Sequence, residues 1–280
     1  MKIMFNFLRK KIGIIGFGNM GQAIGERIKY KYAVCVFEKD TAKTKDLSDV
    51  TVVANIAQLL KQSQAIILAV KPQDFEPVIT EIKANLQDQL VISIAAGITT
   101  EYIQKVLGQV RVARVMPNLA VKVGRSTTSI CKGAFATAGD IRFVARLFKY
   151  LGTIFIFPEE MMDAATAIAG SGPGFWCDLI KDKPRDEWEN YSREHFIPEL
   201  SLAAENLGFS KKEARLFAGL TTAGTLATVQ ASGITPEALK EKIASKGGTT
   251  QAGLEVLHNT GSLIEAAKAA VLRSKELSKK

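Results

Sequence analysis

Histidine is scarce in this chain: His195 and His258 are the two among 280 residues. A metal centre built on clustered imidazoles has too few ligands here, and a Ser-His-Asp relay has little to build on. Cysteine is scarce as well. Cys35, Cys131 and Cys177 are odd in number, far apart and set in apolar contexts, which argues against a disulfide framework or a zinc cluster. No apolar run reaches the ~18 residues of a membrane span, and neither internal repeats nor low-complexity segments occur. The 37 Lys and Arg exceed the 28 Asp and Glu, giving a formal net charge of +9, but they are spread along the chain. A basic stripe interleaved with aromatics, the footprint of single-strand nucleic-acid binding, is missing. The charge reads instead as a solvated basic surface that also attracts anionic metabolites. The opening MKIMFNFLRKK has an apolar middle too short for a signal-peptide core, and no small-residue cleavage site follows. It is expected to be the frayed start of a cytoplasmic protein.

The length suits two domains, and the apolar fraction of 47% with 23% charged residues is that of a soluble globular protein. From residue 11 to about 156, short β-rich apolar runs alternate with amphipathic stretches. The runs are Ile12–Ile15, Ala33–Phe37, Val50–Ala54, Ala65–Val70, Leu90–Ala95 and Val110–Met116, and the helical stretches include Met20–Tyr30, Phe75–Leu86 and Thr100–Leu107. Repeated strand-helix-strand units predict an α/β fold: a Rossmann-type, mostly parallel, doubly wound sheet. Ser126–Cys131 and Thr153–Phe157 are expected to extend one edge. After Pro158 the chain turns Ala- and Leu-rich with a 3.6-residue period. Ser210 and Glu213 form a capping box, and Thr235 followed by Pro236 marks another helix start. The expected organisation is thus a dinucleotide-binding domain over 1–157 and an all-helical domain over 158–280. The small-residue stretches Ala218–Ala231 and Ala266–Ala270 allow close helix packing, within the chain and against a partner chain.

Gly16-Phe17-Gly18-Asn19-Met20-Gly21 follows a hydrophobic strand and opens a helix, the context in which a GxGxxG turn carries a dinucleotide. Gly16 permits the tight turn, Gly18 lets backbone approach a pyrophosphate, and Gly21 lets helix and strand pack closely. The helix N-terminus offers its amides and positive dipole end to phosphate. Glu38 ends the second strand, where an acid accepts hydrogen bonds from ribose hydroxyls and favours NADH. The adjacent Lys39 is placed to hold a 2′-phosphate instead, so preference between NADH and NADPH is open. Ala69-Val70-Lys71-Pro72 lies directly after the fourth strand, whose C-terminal end should border the cofactor crevice. Ala169-Gly-Ser-Gly-Pro173 and Ser245-Lys-Gly-Gly-Thr-Thr250 each precede a helix, and their exposed amides suit a small carboxylate.

GFGNMG, AVKPQ, AAG at 95–97, RVMPN at 114–118, AGSGP and SKGGTT, in this order and spacing, closely resemble the pyrroline-5-carboxylate reductases. The resemblance covers nearly the whole chain. It implies NAD(P)H-dependent reduction of a cyclic imine to L-proline, the last step of proline biosynthesis, and a helical domain that interlocks in a homodimer or larger ring. It places Ile15, Gly16, Phe17, Gly18, Asn19, Met20, Asn55, Ala69, Val70, Lys71, Pro72, Ala95, Ala96 and Gly97 on the cofactor, and assigns no metal. Ser245, Gly248, Thr249 and Thr250 look like the loop that holds the substrate carboxylate and ring nitrogen, Thr250 being similar to a threonine that bonds that nitrogen. Glu159 matches an acidic position near the substrate. The chain departs from the family pattern at Leu119 and Ala120, where Thr-Pro is usual, at Lys246 for Pro, and at Glu38. It also carries an insertion over Asp178 to His195, in which Pro184 should break a helix and the charges imply a solvent-exposed excursion.

Two other readings compete. β-Hydroxyacid dehydrogenases begin with similar glycine turns but need a catalytic lysine on the first interdomain helix. Position 176 is Trp, 178 is Asp, and Lys181 falls out of register. A non-catalytic nicotinamide-binding sensor would keep the glycine turn and use the helical half as a partner surface.

Overall fold

The computed structural model describes residues 9–45 and 47–278. Most of the opening segment expected to fray, residues 1–8, lies outside them. The described residues divide into two compact units. One contains those up to Val115 together with Ile130–Tyr150; the other contains Met116–Ser129 and those from Leu151 onward.

In the first unit β1 (Lys11–Ile15), α1 (Asn19–Ile28), β2 (Ala33–Phe37), β3 (Thr51–Val52), α2 (Ile56–Gln62) and β4 (Ala65–Leu68) are followed by α3 (Phe75–Asn85), β5 (Leu90–Ser93), α4 (Thr100–Leu107) and β6 (Val112–Met116). β7 (Ser126–Lys132), α5 (Ala138–Lys149) and β8 (Gly152–Ile156) come next in the chain. The strand order is β3-β2-β1-β4-β5-β6-β7-β8, with parallel pairing from β3 through to β6. Ile12, Ile14, Ile66, Ile67, Val91 and Ile92 are all 0% exposed. Strands covered on both faces need unbroken apolar runs, and that is why these read as continuous blocks. Several strands are shorter than the apolar runs that announced them. β4 stops at Leu68 and β5 at Ser93, so residues 69–72 and 94–97 leave the ladder and form loops at the strand ends.

α5 begins with a reciprocal capping box in which Thr137 and Asp140 satisfy each other's backbone amides. Arg111 adds an ion pair to Asp140 at 2.8 Å. Burial alone would raise the Asp140 carboxyl, but the Thr137 amide and hydroxyl and the Arg111 guanidinium outweigh it and hold the group below its ordinary value. A carboxyl lowered on folding contributes stability that is present above its unfolded pKa of about 3.9 and is lost as pH falls through the folded value. Asp140→Asn is therefore expected to lower the urea midpoint at neutral pH and to lose less further stability than wild type on acidification to about pH 2. Equal acid sensitivity of the two proteins would refute this role.

The second unit is helical after Pro158, with α6 (Met162–Ala165), α7 (Gly172–Ile180), α8 (Trp188–Tyr191), α9 (Ile197–Asn206), α10 (Lys211–Ser232), α11 (Pro236–Ile243), α12 (Thr249–Thr260) and α13 (Leu263–Ser278). The capping box of Ser210 and Glu213 and the Thr235 cap form as expected. Phe155, Phe157, Phe209 and Phe217 cluster in edge-on and stacked pairs at 4.9–5.8 Å. Along α10 the hydroxyls of Thr222, Thr225 and Thr228 each donate to the carbonyl four residues back, which lets β-branched polar residues be buried in a helix. The 178–195 insertion does break the helix, since α7 ends at Ile180. It is less of an excursion than its charges imply. Trp188 returns to pack edge-on against Trp176 at 5.9 Å, and Ser192 accepts from the Trp176 indole at 2.7 Å. Apart from the buried Asp178, its charges lie mostly on the outer side: Asp182, Arg185, Asp186 and Glu187 are exposed.

Candidate active site

In the first unit the strand order reverses between β1 and β4, the position where doubly wound sheets open a crevice at the C-terminal ends of their strands. Gly16 leaves β1 with φ +91°, donates to Phe37 O at 2.9 Å, and would place a Cβ 2.8 Å from Ala69 O. A Cβ on Gly21 would lie 2.2 Å from Gly16 O, whereas one on Gly18 would meet nothing within 4 Å. The turn therefore demands glycine at 16 and 21 for its own geometry, while Gly18 leaves open the space that a pyrophosphate needs. Gly18 is also the N-cap of α1, with no side chain bonded to the first amides. These residues fit a dinucleotide.

A cavity of about 310 Å³ lies there. Ile15, Gly16, Gly18, Glu38, Lys39, Ala69, Val70 and Lys71 line it, all anticipated from the motifs; Gln73, which closes the AVKPQ motif, lines it too, and so does Lys43, which no motif contains. Lys43 is placed one turn past β2 by the short helix Thr41–Thr44, itself capped by Asp40. Glu38 is turned in toward the glycine turn. Its carboxylate accepts from Phe17 N at 2.5 Å and Asp40 N at 3.0 Å, with the Lys43 ammonium at 3.6 Å. The other expected cofactor residues do not line this cavity. The Phe17 ring is buried at 2% exposure, and Asn19 and Met20 start α1. Pro72 opens the turn after Lys71. Asn55 caps α2, its side chain accepting from Gln58 N at 2.8 Å. Ala95, Ala96 and Gly97 form the loop after β5, where Gly97 has φ +74°.

In the second unit the AGSGP and SKGGTT segments, some 80 residues apart in sequence, meet. Thr250 Oγ1 donates to Ser171 Oγ at 3.1 Å, and the Ser171 and Thr249 hydroxyls are also 3.1 Å apart. All three residues are buried. Ser171 reaches this position at the end of a π-helical turn, Thr166–Ser171, a local widening that re-aims the helix before α7. Gly174 makes the approach possible, because a Cβ there would lie 2.5 Å from Thr250 Cγ2. α12 starts at Gly248 without a side-chain cap, so its first amides and positive dipole end are directed at the Ser245–Gly248 turn. That turn is pinned by Arg273 Nε donating to Gly247 O at 2.7 Å and by Gly247 N donating to Gln251 Oε1 at 2.7 Å. Ser245 and Lys246 are exposed. Glu159 is half-buried in the turn that leads into α6.

Asn118 was noted only as part of a motif, yet it organises the same unit. Its side-chain amide donates to Ala169 O at 3.1 Å and its Oδ1 accepts from Ala120 N at 3.3 Å. A proline at 120 has no N–H to give, so the departure from Thr-Pro adds a backbone bond here. Nothing in the structure explains Leu119. Asp178 on α7 is also a residue the motifs did not single out. It lies 2.7 Å from Lys240 Nζ, 2.8 Å from His258 Nε2 and 3.5 Å from Lys181 Nζ. Burial would raise its carboxyl, but Lys240 and His258 together hold it low. Cys177 beside it is pushed up to about 12 by burial, which leaves a thiol and no nucleophile. Among the described residues no group of His, Cys, Asp and Glu could hold a metal ion.

The glycine turn and its switch-point crevice define a dinucleotide-binding protein of the doubly wound class. Residues 11–97 match the family model described as NADP oxidoreductase, coenzyme F420-dependent, and residues 194–277 match that of pyrroline-5-carboxylate reductase dimerisation. The pyrroline-5-carboxylate reductase of Methanosarcina acetivorans is 33% identical over 97% of this chain and 99% of its own. Among solved structures, the Coxiella burnetii pyrroline-5-carboxylate reductase aligns with TM-score 0.64 at 28% identity, covering 97% of this chain and 100% of that one. The Plasmodium falciparum pyrroline carboxylate reductase with NADP bound aligns with TM-score 0.61 at 26% identity, covering 96% and 98%. The chain belongs to the pyrroline-5-carboxylate reductase family.

Proposed function

We propose that the chain reduces the imine of 1-pyrroline-5-carboxylate to L-proline, completing proline biosynthesis. The observation that carries this reading is the union of Ser171, Thr249 and Thr250 at the uncapped start of α12. Ser245, Gly248 and the first amides of α12 hold the substrate carboxylate, and Glu159 sits near the same substrate. Thr250 Oγ1 bonds the ring nitrogen, and Ser171 sets the Thr250 rotamer. In the first unit Ile15 to Met20, Glu38, Lys39, Asn55, Ala69 to Pro72 and Ala95 to Gly97 hold NAD(P)H, which supplies a hydride when bound. A protonated imine is already electrophilic, so no carboxylic acid or imidazole is needed to activate it. The chain contributes orientation, exclusion of water and a hydroxyl at the nitrogen. We assign dinucleotide binding to the first unit and substrate binding and dimerisation to the second, in a cytoplasmic homodimer or larger ring. Among the described residues no helix is long and apolar enough to cross a membrane.

The test is NAD(P)H consumption with 1-pyrroline-5-carboxylate, run beside a 3-hydroxy acid with NAD(P)⁺. L-proline formation supports the reductase. Hydroxy-acid oxidation, or cofactor binding without turnover of either substrate, rejects it.

Glu38 is the cofactor selector in this reading. A second negative group beside a 2′-phosphate is repelled, while a ribose diol bonds to it. Glu38→Ser is expected to shift the ratio of NADPH to NADH affinity by about tenfold toward NADPH, a change of ~1.4 kcal/mol. Fluorescence titration with each cofactor measures it. An unchanged NADPH affinity would remove Glu38 from that role and leave Lys39 and Lys43 to decide.

A further inference from the structure

α7 and α12 lie side by side and run in the same direction, since Ser171 meets Thr250, Gly174 faces Thr250 and Asp178 meets His258 in that order. The two helices are therefore joined at both ends. The joint at the N-terminal end is the hydroxyl cluster already described. The other is a buried carboxylate, with a side chain 6% exposed, that also takes the Lys240 ammonium from α11. α11 and α12 are the two stems of the Ser245–Gly248 turn. One carboxylate thus grips both stems of the loop that carries the first amides of α12, and Asp178 is the first residue of the insertion that departs from the family pattern.

We propose that Asp178 is a positioning residue for substrate, holding α11 and α12 at the separation that presents the Ser245–Thr250 loop to a small cyclic carboxylate. It touches neither substrate nor cofactor. The physical reason is the directionality of its bonds. Apolar contacts tolerate sliding of one helix along another, whereas two charge-assisted hydrogen bonds from different helices to one buried carboxylate fix axial position and spacing together. Lys181, the C-cap of the same helix, adds charge without tying another element.

The inference rests on the reductase reading, and the experiment separates the two. Wild type must first form L-proline from 1-pyrroline-5-carboxylate; if it does not, the functional reading itself fails. Given that activity, Asp178→Asn is expected to raise KM for the imine about tenfold and to weaken L-proline binding, measured calorimetrically without turnover, by a similar factor. The kcat and the NAD(P)H dissociation constant should stay within about twofold. Amide exchange should accelerate across residues 244–250. His258→Gln, at a more exposed position that folding tolerates, should give a smaller rise of about threefold, and the double variant should add nothing to Asp178→Asn. If either single variant keeps wild-type KM and L-proline affinity while its melting temperature falls, the network is structural only and the proposal is overturned. If Asp178→Asn does not fold, His258→Gln decides by the same two readouts.

Discussion

Thr250→Ala is expected to lower kcat for imine reduction by about 10²-fold, equivalent to ~2.7 kcal/mol of barrier, while NAD(P)H affinity stays within about twofold. The expectation follows from what the hydroxyl does and where it is held. Thr250 is 4% exposed, in the first turn of α12, and its Oγ1 is bonded to Ser171. A buried hydroxyl with its rotamer set by a neighbour can bond the ring nitrogen as charge redistributes without first reorganising solvent. Removing it leaves the nitrogen facing a methyl group that cannot bond it. Thr250→Ser restores the hydroxyl without the Cγ2 that abuts Gly174 and should recover most of the rate. The checks are steady-state kinetics with 1-pyrroline-5-carboxylate and a separate cofactor titration. Turnover of Thr250→Ala at the wild-type rate would remove Thr250 from the chemistry.

Gly18→Ala and Gly21→Ala separate binding from folding. A Cβ on Gly18 meets no protein atom within 4 Å, so the fold should persist with a melting temperature lowered by only a few degrees for the poorer N-cap. The new methyl enters the space that a pyrophosphate would take, and cofactor affinity should drop at least about tenfold. A Cβ on Gly21 would stand 2.2 Å from Gly16 O, a backbone atom in a turn that cannot yield alone. That substitution forces helix from strand and should lose both affinity and roughly 3 kcal/mol of stability. Calorimetric melting and cofactor titration of both variants decide the matter. If Gly18→Ala binds NAD(P)H as wild type does, the pyrophosphate does not cross Gly18.

Much of the fold was legible in order and type. All eight β-rich runs became strands; β1, β4 and β5 are apolar and almost wholly buried, the continuous blocks that local sequence displays directly. Strand ends were less legible. Val50–Ala54 shrank to Thr51–Val52, and residues 69–70 and 94–95 fell outside β4 and β5, since a crevice loop and a strand end have the same apolar composition. Helix starts were read correctly where capping chemistry is local, as at Ser210 and Thr235. The insertion is exposed over most of its length, as its charges imply, but Trp188 and Ser192 bury themselves through contacts with Trp176 that no periodicity announces.

The candidate site divides in the same way. The glycine turn, Glu38 and the strand-end segment are contiguous motifs, and their residues largely meet in one cavity. Lys43 escaped because nothing in its local pattern differs from a solvated lysine. Ser171, Asn118 and Asp178 escaped as individuals because their partners are 79, 51 and 80 residues away.

The sequence by itself determined the doubly wound sheet, the helical second half and the family, because periodicity, caps and glycine turns are local constraints written within a few residues. Only the tertiary structure decided that Ser171 and Thr250 share a hydrogen bond and that Asp178 grips both stems of the Ser245–Gly248 turn. It also decided that residues 116–129 pack with the second unit. Those outcomes depend on directional bonds between helices distant in the chain, and such bonds leave no periodic trace in the residues that make them.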